Sequence, residues 1–190
     1  MGDGPAGPIA AATPADVIVR AVIVAGVSGS GKTTVGELLA ARLGWQFTDG
    51  DALHPAANIA KMASGQPLTD QDRAPWLRRI GEVIDAELTA GLSLVVACSA
   101  LKRRYRTELL SQRPEAWMAF LLIGLDEACR RLGRRRGHFF EPDLVSSQFA
   151  ALEEPGQDEA RVVPVPVTGP PGEVTDEIVG RLALRAVPGQ

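Results

Sequence analysis

Cysteine is scarce in this chain, and long apolar runs are absent. Only two cysteines occur among 190 residues, Cys98 and Cys129, so a fold that depends on a framework of disulfides is excluded. Their sequence neighbours are those of ordinary reduced thiols in a core or a helix. No segment approaches the roughly 20 consecutive apolar residues of a membrane-spanning helix. Hydrophobic residues nevertheless make up 45% of the chain, which is enough to bury the core of one compact domain.

The chain also lacks an excess of positive charge. It has 20 lysines and arginines against 23 aspartates and glutamates, a net charge of −3, so binding to nucleic acid is not expected. Residues 1–16 are rich in Gly, Ala and Pro and lack the basic start and apolar centre of a secretion signal. We interpret them as a flexible tail, and residues 17–190 as a single domain. The simplest expected location is the cytoplasm, with no membrane association.

A glycine-rich motif, Gly-Val-Ser-Gly-Ser-Gly-Lys-Thr, occupies residues 26–33. It fits the phosphate-binding pattern G-x-x-x-x-G-K-[ST], and it lies between the apolar run 21–25 and the helix-like stretch 32–43. A strand, a glycine-rich loop and a helix N-terminus in that order direct backbone N–H groups and the helix dipole at an anion. Lys32 is expected to reach the β- and γ-phosphates of a nucleotide, and the Thr33 hydroxyl to ligate Mg²⁺. A chance glycine-rich turn is the alternative. The predicted nucleotide-binding residues of this loop are Gly26, Ser28, Gly29, Ser30, Gly31, Lys32, Thr33 and Thr34.

A second polar cluster, Thr-Asp-Gly-Asp-Ala-Leu-His at residues 48–54, follows the next strand-like run. Parallel strands of an α/β sheet end at one edge, so Asp49 and Asp51 are expected beside the γ-phosphate. We expect the two carboxylates to have separate tasks, and we assign Asp49 to Mg²⁺ and Asp51 to the hydroxyl of the phosphate acceptor, as its base or orienting group. A turn with solvated carboxylates is the other interpretation. Together, the two clusters predict phosphoryl transfer from a nucleotide to a small molecule.

Strand-like apolar runs alternate with helical patterns along the rest of the chain. The strands predicted after the first are 45–47, 92–98, 117–123 and 161–167. The further predicted helices are 54–63, 70–90, 102–112, 126–133, 142–152 and 173–184. This alternation of strands and helices predicts an α/β fold, with a five-stranded parallel sheet flanked by helices on both faces.

The segment between the second and third predicted strands is too long for a plain crossover. We predict that residues 54–77 form an insert that closes over a small substrate. Arg73 suits a substrate carboxylate, because a guanidinium group can bind a carboxylate through two parallel hydrogen bonds. A surface helix on which Asp70 caps Arg73 is an equally good interpretation of the same pattern.

Five arginines lie among residues 130–136, with one glycine inside the run and another directly after it. Such a run is typical of a nucleic-acid-binding patch. Here the run follows a strand–helix unit in an acidic chain. We therefore favour a lid over a nucleic-acid patch: residues 133–142 are expected to form a mobile lid that brings guanidinium groups to the triphosphate. His138 either contacts the substrate or packs under the two phenylalanines that follow it.

Several longer segments carry patterns more specific than the phosphate loop. They are Asp-Gly-Asp-x-x-His-Pro at 49–55, Asn-Ile-x-Lys-Met-x-Ser-Gly-x-Pro-Leu at 58–68, Asp-Arg-x-Pro-Trp-Leu at 72–77, Cys-Ser-Ala-Leu-Lys-x-x-Tyr-Arg at 98–106, Gly-His-Phe at 137–139 and Ser-Gln-Phe-x-x-Leu-Glu-x-Pro at 147–155. With the phosphate loop, these segments resemble those of the P-loop gluconokinase family. The resemblance extends in order over residues 20–184. It implies a P-loop fold like that of nucleoside-monophosphate kinases, the use of ATP with Mg²⁺, and phosphorylation of D-gluconate at its 6-hydroxyl. Family members are commonly homodimers.

The resemblance also implies roles for individual residues. Gluconate is a linear polyol acid, so its site needs a cation for the carboxylate and hydrogen-bonding groups along the carbon chain. The candidates for substrate contact are Asp51, His54, Lys61, Arg73, Lys102 and His138. Arg131 and Arg135 match the lid arginines of the family, Arg131 as a nucleotide contact and Arg135, with Lys32 and Asp51, as a catalytic group. Residues 165–171 depart from the family pattern, because they lack the acidic residues of its last strand.

Three other functions are compatible with a phosphate loop. A shikimate-kinase-like enzyme shares the fold and the Asp-x-Asp after the second strand, but its acceptor loops are rich in glycine, unlike Cys-Ser-Ala-Leu-Lys at 98–102. A GTPase-type switch normally carries an Asn-Lys-x-Asp guanine-binding motif, which this chain lacks. A nucleotide-binding regulator without activity is the least favoured, because both polar clusters are complete.

Overall fold

The structure is a computed structural model that describes residues 18–133 and 142–184. Within these ranges, five strands form one parallel sheet: β1 Ala21–Ala25, β2 Gln46–Asp49, β3 Leu94–Ala97, β4 Ala116–Leu122 and β5 Val162–Pro166. The helices are α1 Lys32–Leu43, α2 Ala56–Ala63, α3 Asp70–Thr89, α4 Arg103–Leu110, α5 Leu125–Gly133, α6 Pro142–Ala151 and α7 Pro171–Arg181. The spatial order of the strands is β2-β3-β1-β4-β5, and every neighbouring pair is parallel. The predicted five-stranded parallel sheet is confirmed.

The sheet has an apolar core on each face. In β1, Ile23 contributes to the core that includes residues of α3 and α4, whereas Val22 and Val24 contribute to the core that includes residues of α1 and α7. All five residues of β1 are fully buried. Burial on both faces explains why a central parallel strand is a continuous apolar run in the sequence instead of an alternating one.

The predicted helices and strands are all present, with ends that shift by three residues or fewer. The helix predicted from His54 begins at Ala56, because residues 50–53 form a short 3-10 helix and Pro55 is the N-cap of α2. The last helix was predicted from residue 173 but begins at Pro171. A proline is tolerated there because the first N–H groups of a helix have no partner within the helix.

The strand order places the candidate site. In the sheet, β3 lies between β2 and β1. The turn after β3 therefore lies between the loop after β1 and the loop after β2, and it neighbours both. The N–H of Gly26 donates to the carbonyl of Ser99 in that turn at 3.2 Å. Three loops that carry polar residues therefore meet at the carboxyl edge of the sheet, where ligands bind in open α/β folds.

Some predicted features lie outside the described residues. These are the tail at 1–16 and the greater part of the lid at 133–142, including Arg135 and His138. Across residues 18–133 and 142–184, none of the helices combines the length and the apolar character needed to cross a membrane.

Candidate active site

The phosphate loop depends on its glycines. Gly26, Gly29 and Gly31 have φ angles of 137°, 82° and 95°, a region that favours residues without a side chain. A Cβ atom on Gly26 would lie 2.7 Å from the carbonyl oxygen of Leu121, and one on Gly29 would lie 2.8 Å from that of Ala128. The loop is therefore held close to the ends of neighbouring elements, and only glycine fits at these two positions.

The N-terminus of α1 faces this loop. The helix starts at Lys32, and its N-cap, Gly31, has no side chain to bond the first N–H groups. The ammonium group of Lys32 donates to the carbonyl of Val27 at 3.1 Å, so it lies across the loop. Ser30 is fully buried, and its hydroxyl has no hydrogen-bond partner within the described part of the chain. Thr34 is exposed in the first turn of α1. Together these groups form a cradle of N–H donors, a cation and hydroxyls that suits a polyphosphate.

The second cluster lies next to the first, as the sequence predicted. The Thr33 hydroxyl donates to Oδ2 of Asp49 at 3.4 Å, and Oδ1 of Asp49 accepts from the backbone N–H of Asp51 at 3.0 Å. Asp49 is partly buried, whereas Asp51 is exposed. One carboxylate therefore turns to the phosphate loop, and the other remains open to an incoming ligand.

Gly50 fixes the geometry of this Asp-Gly-Asp turn. A Cβ atom at Gly50 would collide with the carbonyl oxygen of Ala97 at the end of β3. On its other side, the carbonyl of Gly50 accepts a hydrogen bond of 2.7 Å from the indole N–H of Trp76 in α3. The turn is thus held between the sheet and the insert, which distinguishes it from a loose solvated turn.

The donor set at this edge fits Mg²⁺. Within the described ranges, no group of three or more His, Cys, Asp or Glu side chains is arranged to hold a metal ion. Thr33 and Asp49 instead offer two oxygen atoms beside the phosphate loop. Mg²⁺ prefers oxygen ligands and commonly takes one or two from a protein, with substrate phosphates and water completing its octahedron.

His54 lies close to the Asp-Gly-Asp turn and packs against α3. Its ring stacks on Trp76 with centroids 4.2 Å apart, and its Nδ1 lies 3.3 Å from the side-chain nitrogen of Asn58. Desolvation by burial lowers the pKa of His54; the charge of Asp51 opposes this shift and that of Arg73 reinforces it. A neutral His54 offers hydrogen bonding to a substrate but no positive charge.

Two of the lysines predicted to contact substrate are held in ion pairs. Lys61 donates to Oδ2 of Asp72 at 2.5 Å, and this contact ties α2 to the start of α3. Hydrogen bonding by Lys61, followed by that of Thr69, lowers the pKa of Asp72 to about 2. Lys102 donates to the two carboxylate oxygens of Asp70 at 2.9 and 3.2 Å.

Arg73 is placed differently from these lysines. Asp70 does not cap it, because this carboxylate instead contacts three residues around the start of α4, namely Lys102, Arg104 and Tyr105. The Arg73 side chain makes no hydrogen bond or ion pair with any residue in the described part of the chain. It is partly buried, and its charge acts on the buried thiol of Cys98 at the end of β3. Arg73 is therefore a cation at the site edge that is available for a ligand.

Arg106, to which the sequence analysis assigned no role, shapes the turn after β3. Its guanidinium group is completely buried and makes two hydrogen bonds of 2.7 Å to Glu159. It also donates to the carbonyls of Leu101 and Glu153 at 3.0 and 2.8 Å. Ala100, in the same turn, has a left-handed φ of 39°. The segment 98–106 contained this arginine, but spacing in sequence does not reveal burial of a charge.

Gln148 in α6 is a second residue without an assigned role that reaches the site. It bonds to both the backbone and the hydroxyl of Ser28 in the phosphate loop. Arg131, predicted to contact the nucleotide, lies in the last turn of α5, where its Nε donates to Glu127 at 2.6 Å. Arg135 and His138 lie outside the described residues, so their roles remain predictions.

Comparison with known proteins shows which family this chain resembles. A family model described as shikimate kinase matches residues 28–182. A gluconokinase from Gluconobacter oxydans (strain 621H) is 47% identical over 84% of this chain and 89% of its own length. The thermoresistant gluconokinase of Escherichia coli K12 is 44% identical over 78% of this chain and 85% of its own length.

Comparison with solved structures supports the same family. A crystal structure of a gluconokinase from Sinorhizobium meliloti 1021 has a TM-score of 0.79 and 43% identity, covering 88% of this chain and 93% of that one. Shikimate kinase from Aquifex aeolicus, at 18% identity and a TM-score of 0.55, shares the fold alone. The chain belongs to the gluconokinase family of P-loop kinases.

Proposed function

We propose that this protein transfers the γ-phosphoryl group of ATP to the 6-hydroxyl of D-gluconate, giving 6-phospho-D-gluconate and ADP. The observation that carries the proposal is the contact between Thr33 and Asp49, with Asp51 exposed beside it. This contact joins a phosphate-binding loop to an acceptor site at one sheet edge. Relatives between 40% and 47% identical are named gluconokinases, which supports gluconate as the acceptor.

The nucleotide is bound through the cradle. The N–H groups of the loop and the first turn of α1 surround the phosphates, and Lys32 reaches the β- and γ-phosphate oxygens. As the γ-phosphoryl group moves, Lys32 stabilises negative charge on its equatorial oxygens. Thr33 and Asp49 would hold Mg²⁺ together with the phosphates, and the bound ion would neutralise further negative charge.

Asp51 acts on the acceptor. Its carboxylate orients the 6-hydroxyl and takes its proton as the hydroxyl oxygen bonds to the γ-phosphorus, while the bond to the bridging oxygen of ADP breaks. Arg73 binds the carboxylate at the other end of gluconate. His54, Lys61, Lys102 and His138 complete the acceptor site. Lys61 and Lys102 reach the substrate by exchanging their aspartate partners for its oxygens.

The remaining assignments follow the family resemblance. Residues 17–190 form one kinase domain, in which 54–77 is the substrate-binding insert and 133–142 is the lid. Arg131, in the last turn of α5, contacts the nucleotide. The lid supplies Arg135 to the transferring group and excludes water from the reaction. We also propose a homodimer in the cytoplasm that binds no nucleic acid. Light scattering on the purified protein tests the oligomeric state.

The test of the reaction is release of ADP from MgATP with purified protein, with gluconate, shikimate or no acceptor present. Turnover with gluconate alone is expected. Turnover with shikimate, or none with either acid, would contradict the acceptor assignment and direct attention to residues 54–77. Analysis of the product by ³¹P NMR distinguishes a phosphate ester on the 6-oxygen from free phosphate, which would indicate ATP hydrolysis.

Arg73→Ala is expected to raise KM for gluconate about tenfold to a hundredfold and to leave kcat close to that of the wild type. The reason is that a charge-assisted hydrogen bond to the substrate carboxylate contributes about 1.5–3 kcal/mol to binding. The variant loses this binding energy equally in the ground state and in the transition state, so KM rises and kcat does not change. Steady-state kinetics with varied gluconate measure the effect. Arg79→Ala removes an exposed guanidinium from the same helix and serves as the matched control. A fall in kcat with KM unchanged would contradict a binding role for Arg73.

A further inference from the structure

Gln148 makes two hydrogen bonds to a single residue of the phosphate loop. Its Oε1 accepts from the backbone N–H of Ser28 at 2.7 Å, and its Nε2 donates to the Ser28 hydroxyl at 2.9 Å. The side-chain amide therefore holds both the main chain and the side chain of Ser28. Both bonds are partly buried, so water competes with them less than at an open surface.

Ser28 is a position where such support matters. It lies between Gly26 and Gly29, which have positive φ angles and the broad conformational freedom of glycine. A loop of this kind loses much backbone entropy when it is ordered around a phosphate. A contact that orders the loop beforehand lowers the cost of binding.

The helix that carries Gln148 is itself anchored. Phe149 of α6 and Leu152, directly after the helix, pack against the core on one face of the sheet. They also line a cavity of about 370 Å³ together with Val27 of the phosphate loop. Packing against the core therefore holds the end of α6 in place near the loop, and the two hydrogen bonds of Gln148 restrict the conformation of Ser28.

We propose that Gln148 is a positioning residue for the triphosphate, which holds Ser28 so that the phosphate loop is ordered before the nucleotide arrives. This role rests on the proposed function, because it requires that the loop bind ATP. It also requires a neutral side chain. The amide oxygen lies 2.7 Å from a nitrogen of the anion-binding loop, so a carboxylate there would repel the phosphates.

Three variants separate positioning from a purely structural role. Gln148→Leu removes both hydrogen bonds at similar volume. Ser28→Ala removes only the bond from Nε2. Gln148→Glu keeps an acceptor for the N–H and the hydroxyl of Ser28 but adds a negative charge. Gln112→Leu, at an exposed glutamine after α4, is the matched control.

The measurement is calorimetric titration with Mg²⁺ and a non-hydrolysable ATP analogue, together with the melting temperature of the ligand-free protein. Gln148→Leu is expected to raise Kd about tenfold and Ser28→Ala about threefold, while the double variant is no worse than Gln148→Leu alone. Gln148→Glu should melt near the wild type yet raise Kd at least as much as Gln148→Leu, by an amount that shrinks as salt is added. KM for gluconate should not change.

The outcomes distinguish a failure of the proposed function from a failure of the role assigned to Gln148. Wild-type protein that does not bind the analogue would refute the proposed function itself. Wild-type protein that binds it, with Gln148→Leu and Gln148→Glu binding equally well, would refute the role of Gln148 alone. A Gln148→Glu variant with wild-type melting and wild-type affinity would also overturn the inference, because a structural contact predicts that result. If Gln148→Leu does not fold, Ser28→Ala and Gln148→Glu still decide the matter.

Discussion

Replacing Lys32 with alanine should lower kcat about a hundredfold to a thousandfold. Lys32 is the cation of the phosphate loop, and its ammonium group lies over the loop through a hydrogen bond of 3.1 Å to the carbonyl of Val27. During transfer, negative charge develops on the oxygens of the γ-phosphoryl group. Removal of one preorganised donor to such charge commonly costs this factor in rate. The ground-state complex is affected less, because the loop N–H groups still bind the phosphates.

Single-turnover kinetics with ATP and gluconate measure the chemical step, and titration with an ATP analogue measures binding separately. Arg42→Ala is a suitable control, because it removes a cation from the last turn of the same helix, far from the loop. Lys32→Arg retains the charge with a different donor geometry and should recover only part of the rate. Normal turnover by a folded Lys32→Ala protein would show that residues 26–33 are not the phosphate site.

The sequence predicted the fold well because its signals are local. The run from Ala21 to Ala25 is apolar at every position, as burial on both faces of a parallel sheet requires. The glycines of the phosphate loop and of the Asp-Gly-Asp turn are required by backbone geometry, so they too leave a pattern. Parallel strands end at one edge of the sheet, which predicted Asp49 beside the phosphate loop, and the structure brings the side chains of Asp49 and Thr33 together.

Contacts between distant helices could not be predicted in this way. The pairs Lys61–Asp72 and Lys102–Asp70 depend on how α2, α3 and α4 meet, and ion pairs at a protein surface leave no periodic signal. The bonds from Gln148 to Ser28 join residues 120 positions apart. Buried Arg106 shows the same limitation, because a charged residue is ordinarily expected at the surface.

These unpredicted contacts change how the acceptor site is understood. The sequence favoured Arg73 for the substrate carboxylate and gave Lys61 and Lys102 as further candidates for contact with gluconate. In the structure, both lysines already hold carboxylates of the protein, whereas Arg73 makes no such pair within the described residues. A substrate that binds either lysine must share the ammonium group with an aspartate or displace that aspartate, which offsets part of the binding energy. Arg73 carries no such cost, so it should dominate recognition of the carboxylate.

Asp51→Asn should lower kcat about a hundredfold to ten-thousandfold while affinity for ATP stays close to that of the wild type. Asparagine has nearly the same shape but cannot accept the proton of the 6-hydroxyl, and general-base catalysis contributes a factor of this size. The backbone N–H of Asp51 would still donate to Asp49, so the turn should keep its form. Because Asp51 is exposed and Asp49 is the carboxylate that contacts Thr33, the nucleotide side should be undisturbed.

Comparison with two further variants makes this result specific. Asp126→Asn removes an exposed carboxylate at the start of α5 and should leave kcat unchanged. Asp49→Asn should weaken the dependence of rate on Mg²⁺, which Asp51→Asn should not do, because only Asp49 is assigned to the metal. If Asp51→Asn turned over at the wild-type rate, the base would have to be sought elsewhere. If its Mg²⁺ dependence shifted instead, the roles of the two aspartates would be exchanged, because one carboxylate cannot both bind the metal and remain free to take the proton of the acceptor.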